Sequence, residues 1–184
     1  AEWYRFLNSF LDVVEQHCQV KELYVLGALV SLSAHTTPRE LFAIVNSPEM
    51  KEVLSQYDLA RDMDYQTPHG ERPSLNSFLL WVAKVRNTPG ISLWAPMPFY
   101  LAATEDPQAQ KKVLSFLDER LDLKIDFSDL DQEIREQNEK LAQMRSRLPQ
   151  IDDYIRRLES NLTLSEEENG ELLKSIEDFL TEGG

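Results

Sequence analysis

Residues 22–30 read Glu-Leu-Tyr-Val-Leu-Gly-Ala-Leu-Val. The run is apolar after its first residue and does not alternate. That predicts a strand buried on both faces, as in a parallel sheet. The segment that follows, Ser33-Ala34-His35-Thr36-Thr37-Pro38, is a turn-rich loop at the strand's C-terminal end. Residues 40–45, Glu-Leu-Phe-Ala-Ile-Val, read as a second strand. On the N-terminal side, Trp3, Phe6, Leu7, Phe10, Leu11, Val13 and Val14 recur at three-to-four-residue spacing, which predicts a helix over 2–17. Further on, Ser47-Pro48 opens a short helix to about Gln56, with Ser at the N-cap and Pro in the first turn. A polar loop spans 57–74, Ser74 caps a helix over 75–87, and 90–97 reads as a third strand. A helix over 107–122 starts at Pro107. This order of elements predicts a layered α/β domain.

From Ser128 the pattern changes. A long helix to about Arg147 is rich in Glu, Gln, Lys and Arg, and its apolar stripe is thin: Leu130, Ile134, Leu141 and Met144. Pro149 interrupts it, and a helix over 150–161 follows. Ser165-Glu166-Glu167-Glu168 is a capping box opening a helix over 166–181, striped by Leu172, Ile176, Phe179 and Leu180. The chain thus divides into an α/β core, 1–127, and acidic C-terminal helices, 128–184. The two stripes bury either against each other or against another subunit, and the sequence leaves both open.

The 184 residues carry 32 acidic and 19 basic side chains, a formal charge of −13. Residues 1–100 hold 11 acidic and 8 basic residues, and 101–184 hold 21 and 11. This balance argues against nucleic acid, whose binding needs a basic face, and against anionic membranes. No apolar run is long enough for a transmembrane helix. One cysteine, Cys18, excludes an internal disulfide framework and a cysteine-based zinc site, and a reducing cytoplasmic setting is expected. Cys18 also sits at a helix C-terminus, which does not lower a thiol pKa.

Chemistry-bearing residues gather on the loop after the first strand. His35 could act as acid or base there, with Thr36, Thr37 and Arg39 holding an anion, since ligands of open α/β sheets sit beyond strand C-termini. The plainer reading is that Thr36 and Thr37 bond local backbone and His35 packs against Trp94 or Tyr100. Asp62, Asp64 and His69 on the long loop have no metal-site spacing. No cofactor, metal or catalytic residue is expected. No glycine-rich phosphate loop is present, since Gly27, Gly70 and Gly90 are the only glycines of the α/β part.

Three segments belong together: Tyr24-Val-Leu-Gly27-Ala-Leu, His35-Thr36-Thr37-Pro38, and Ser92-Leu93-Trp94-Ala95-Pro96-Met97-Pro98-Phe99-Tyr100-Leu101. In this order they resemble the PAC2 family of proteasome assembly chaperone-like proteins. The family's counterparts are an "LGGLL" or "LGALL" strand end, a "PHTRP" loop and "SLWAxxPHY". Tyr154-Ile-Arg-Arg-Leu-Glu159 is similar to its "YVRQLEE" ending, so the resemblance covers residues 3–160. There are departures. Phe99 stands where the family has histidine, the cation of "HTRP" is moved to Arg39, and only the outline of the "YEGPTG" loop survives in Tyr65-Gln66-Thr67-Pro68-His69-Gly70. The family domain also begins well upstream of the helix that opens this chain, so the resemblance implies a partial domain without its first strands.

The resemblance implies a three-layer α/β/α fold of phosphorylase/hydrolase type with a C-terminal helical appendage. It also implies a non-enzymatic protein-interaction or assembly-chaperone-like role, with protein partners and a homo-oligomer. The alternative is a small-molecule, nucleotide-like binding protein or enzyme using the strand-end cleft around His35 and Trp94. The residues carried into either reading are His35, Thr36, Thr37, Arg39, Trp94 and Tyr100 for the cleft. For a partner helix they are Leu130, Ile134, Leu141 and Met144.

Overall fold

The computed structural model describes residues 2–60 and 73–182. It contains a mixed four-stranded sheet and seven α-helices among those residues, an α/β fold. The helices are α1 (Glu2–Cys18), α2 (Pro48–Leu54), α3 (Leu75–Val85), α4 (Pro107–Leu121), α5 (Ser128–Arg147), α6 (Pro149–Glu159) and α7 (Glu166–Glu182). The strands are β1 (Leu23–Ser31), β2 (Leu41–Val45), β3 (Leu59–Ala60) and β4 (Gly90–Pro98), in the order β1-β4-β2-β3. The chain forms two compact units, one of residues 1–27 and 40–94, the other of 28–39 and 95–184.

The helix boundaries follow local chemistry. Ser47 accepts a hydrogen bond from the Met50 amide, with Pro48 in the first turn of α2, and Ser74 accepts from the Ser77 amide at α3. Asp106 does the same for α4, accepting from the Ala109 amide ahead of Pro107. At α7 the expected capping box is complete. Ser165 Oγ accepts from the Glu168 amide, and Glu168 Oε2 accepts from the Ser165 amide. With few glycines available, Gln19, Asn87, Asp122 and Asn161 take the left-handed conformation that ends α1, α3, α4 and α6. Ser128 does not cap α5; its amide and hydroxyl both turn back to Asp126.

In the first unit, β2 pairs antiparallel with β4, Phe42 opposite Trp94 and Val45 opposite Ile91. It pairs parallel with the short β3, Leu41 opposite Leu59. The sheet is therefore mixed rather than all parallel. The expectation from the unbroken apolar run fails in a second respect. β1 is an end strand among the described residues, and Leu26, Leu29 and Val30 are exposed. Buried Asn46 closes the other strand ends. It donates to the Thr88 carbonyl at 2.9 Å and accepts from the Gly90 amide at 2.8 Å. Helices α1 and α3 pack through Leu7, Leu11 and Val82. Beside that contact, the Arg86 guanidinium reaches Asp12, Glu15 and both oxygens of Asn8.

The second unit has its own core. Tyr100 and Leu101, in a 3-10 turn after β4, pack with Ala34 and with the inner faces of α5, α6 and α7. Ile151, Tyr154, Ile155 and Leu158 form the buried stripe of α6, at helical spacing. Leu141, Met144, Leu172 and Ile176 are wholly buried there, and Phe179 and Leu180 pack at the margin. Leu130 and Ile134 are half-buried. No helix among the described residues is long and apolar enough to cross a membrane.

Candidate functional site

The loop after β1 is held from beneath by a buried ion pair. Arg39 Nη2 lies 3.1 Å from Asp106 Oδ2, both side chains 2% exposed. Arg39 Nη1 also donates to the Thr37 and Ala34 carbonyls, and the Thr37 amide donates to the Ala34 carbonyl. Arg39 is thus used up in shaping the loop and facing its helix cap. Asp106 serves two elements at once, Oδ1 capping α4 and Oδ2 taking Arg39.

His35 is buried and fastened at two points to Tyr100. Its backbone N–H donates to the Tyr100 hydroxyl at 2.6 Å, and its Nδ1 lies 2.9 Å from the same oxygen. The rings meet edge to face. No other acceptor for the hydroxyl proton is found among the described residues, so the phenol donates to Nδ1. That assigns the neutral Nε2–H tautomer to His35. Burial, and then the charge of Arg145, push the His35 pKa down to about 4, so the ring is neutral at physiological pH. Burial also holds the Tyr100 phenol above its ordinary value.

Around this pair runs an ion network from α5 to α6. Arg145 donates to Asp152 and, through two nitrogens, to Glu159. Thr36 Oγ1 donates to Glu159 as well, at 2.9 Å. The Arg145 bond holds the Glu159 carboxyl below its usual range. A pocket of about 330 Å³ opens here, lined by His35, Thr36, Gln108, Asn138, Ala142 and Arg145. A second concavity of about 340 Å³ lies by Glu105, Glu133 and Glu136, with Lys140 as its one cationic lining residue.

The structure therefore brings together His35, Thr36 and Tyr100, and places Thr37 and Arg39 in the loop's own framework. Trp94 is not among the pocket's lining residues. It belongs to the first unit, where its ring lies over Gly27 and its indole nitrogen is buried without a partner. Of the stripe expected to meet a partner helix, Leu141 and Met144 are core residues of the second unit. The loop from Tyr65 to Gly70, and with it Asp62, Asp64 and His69, lies outside the described residues. No cluster of potential metal ligands is found among the described residues. Sequence reasoning missed Asp106, Gln108, Asn138, Arg145 and Glu159. Asp106 had a local signal, an Asp before a helix-opening proline. Glu159 closes the stretch from Tyr154 that resembles the family's ending, and the other three are polar residues on helices with no such signal.

One further feature stands out in the first unit. Trp3, Phe6, Phe10 and Val13, spaced three, four and three residues apart on α1, are 61%, 58%, 45% and 57% exposed. Trp81 on α3 is half exposed, with its ring stacked on Phe78 and tilted against Tyr4.

The model of the PAC2 family matches residues 1–145, and the chain belongs to that family. Solved structures share the fold. A PAC2 family protein from Streptomyces avermitilis is 25% identical, with a TM-score of 0.62 over 77% of this chain and 56% of its own. A Mycobacterium tuberculosis proteasome-assembly chaperone homologue is 20% identical, TM-score 0.65, covering 84% and 62%. The archaeal proteasome activator PbaB of Pyrococcus furiosus is 23% identical, TM-score 0.60, covering 78% and 58%. The chain thus spans little more than half the length of these structures. No curated protein matches it in sequence.

Proposed function

We propose that this protein is a non-enzymatic, assembly-chaperone-like interaction protein that works by associating with protein, first of all with further copies of itself. The observation that carries this reading is the exposed apolar face of α1. Its 3-4-3 spacing is the seam of a helix that packs lengthwise on another helix. At about 200 Å² per aromatic side chain, Trp3, Phe6, Phe10 and Trp81 together present about 400 Å² of apolar surface. A standard interface takes about 800 Å² from each partner, with its most apolar part at the centre. The four rings are the right size for that centre. Leu26 of β1, an end strand among the described residues, is exposed in the same unit and adds apolar surface of the kind that pairs with another chain. Two of the related structures, one a proteasome-assembly chaperone homologue and one a proteasome activator, agree with an assembly role. A cytoplasmic setting is part of the same reading, in keeping with a single cysteine exposed at the end of α1.

Sedimentation velocity on the full-length protein tests it. The wild type is expected to associate with rising concentration, and a Phe6→Glu/Phe10→Glu variant to sediment as a monomer with unchanged circular dichroism. A wild type that stays monomeric throughout has this face covered within its own chain or by a different protein, and refutes self-association. A variant that associates as the wild type does would move the interface elsewhere.

A further inference from the structure

We propose that the pocket beside His35 is a binding site for a single carboxylate group carried on a small polar body, such as a free carboxylic acid or the C-terminal residue of a peptide. The inference does not rest on the interaction reading, because the pocket and the α1 face share no residue.

The lining is rich in hydrogen-bond donors. His35 is only 6% exposed, and Tyr100 occupies its Nδ1, so the Nε2–H is the ring's remaining donor. Arg145 spends one hydrogen on Asp152 and two on Glu159. A guanidinium has five, so two N–H groups remain. Gln108 and Asn138 contribute carboxamides, and Ala142 is the one apolar member. None of the six lining residues is a carboxylate.

Charge decides between classes of ligand. Arg145 is balanced by Glu159, and Asp152 by Arg156, so the network sums to zero. Position matters within that sum. Arg145 lines the pocket beside the ring, whereas Glu159 and Asp152 do not, so its cation is the charge that the pocket presents. That arrangement suits one negative charge spread over two oxygens, one accepting from a remaining N–H of Arg145 and the other from the His35 ring or a carboxamide. A dianionic phosphate would bring twice the charge to a network with no surplus cation to match it. A volume of about 330 Å³ stands at the lower end of ligand pockets, which favours a small molecule or one residue over a nucleotide. The site is also preorganised. Arg39, Asp106 and Tyr100 hold the loop with buried hydrogen bonds, so little ordering is left for a ligand to bring about.

The chain has three histidines, so the imidazole resonances of His35 can be followed by NMR. The probes are sodium acetate, a blocked dipeptide with a free C-terminal carboxylate, and the same dipeptide as its amide, at constant ionic strength. The expected result is a saturable shift of the His35 ring resonances with a carboxylate, together with a rise in the ring's pKa. Gln108→Leu and Asn138→Leu each remove one hydrogen bond to a charged group and are expected to weaken binding about tenfold. Arg145→Gln is expected to abolish it. Because Arg145 also ties α5 to α6, the two leucine variants carry the test should that protein fail to fold. Saturation by acetate identifies a free small acid as sufficient. Saturation by the dipeptide acid alone identifies a peptide terminus. The proposal is overturned if neither acid gives a saturable shift, if the amide binds as well as the acid, or if both leucine variants bind like the wild type.

Discussion

Replacing Arg39 by Met breaks the buried pair that underlies the loop. Both partners are 2% exposed, so solvent cannot take over the charge that remains. Asp106 would be left buried with only the Ala109 amide at its other oxygen, and the Thr37 and Ala34 carbonyls would lose their donor. Removing one partner of such a pair costs about 3–5 kcal/mol. Asp106→Asn keeps the α4 cap, because Asn caps as well as Asp, but strands the guanidinium at a similar cost. The double variant holds neither charge. Its remaining penalty is the unpaired carbonyls, about 2–4 kcal/mol, at least 2 kcal/mol below the sum of the singles. Urea unfolding followed by far-ultraviolet circular dichroism, which the helices dominate, measures all three. Total stabilities of about 5–15 kcal/mol leave room for losses of this size. An Arg39→Met protein within about 1 kcal/mol of wild type, the range of an exposed pair, would refute the reasoning. So would strictly additive singles.

Three further outcomes are expected. His35 has a pKa of about 4 in the fold against about 6.5 when unfolded, so the unfolded chain takes up the proton first. Its contribution to stability is complete above about pH 6.5 and is lost as pH falls through 6.5 towards 4, about 3 kcal/mol in all. The difference in unfolding free energy between wild type and His35→Asn should change by this amount across that window, and parallel curves would contradict it. In Gly27→Ala, the new methyl would lie 2.7 Å from Trp94 Cε3, so the ring must move. A loss of about 1–3 kcal/mol with altered tryptophan fluorescence is expected, and an unchanged spectrum would count against the packing described. Asn46→Ala orphans the Gly90 amide and the Thr88 carbonyl inside the first unit. It should cost about 2–4 kcal/mol by chemical denaturation, and a loss under 1 kcal/mol would mean that water replaces the side chain.

The sequence by itself determined what is local. Helix starts at Ser47, Ser74 and Ser165 are readable because the capping side chain and the amide it serves lie three residues apart. The stripe of α1, the breaks at Pro107 and Pro149, and the strands around Val25, Ile44 and Leu93 are readable for the same reason, since each is a periodicity or a stop within one element. The motifs around Gly27, His35 and Trp94 also carried the family correctly.

Tertiary structure decided everything that joins distant positions. An unbroken apolar run says that β1 wants cover on both faces, but not that it is an end strand among the described residues, with Leu29 and Val30 exposed. Tyr100 is 65 residues from His35, and Asp106 is 67 from Arg39. No spacing rule could foresee that Arg39 would turn inward to close the loop, or that Arg145 would stand beside the imidazole in its place. The thin stripe of α5 likewise left open whether it met its own neighbours or another chain. Leu141 and Met144 meet α6 and α7, because burying all three stripes in one core removes more apolar surface from water than any helix could alone.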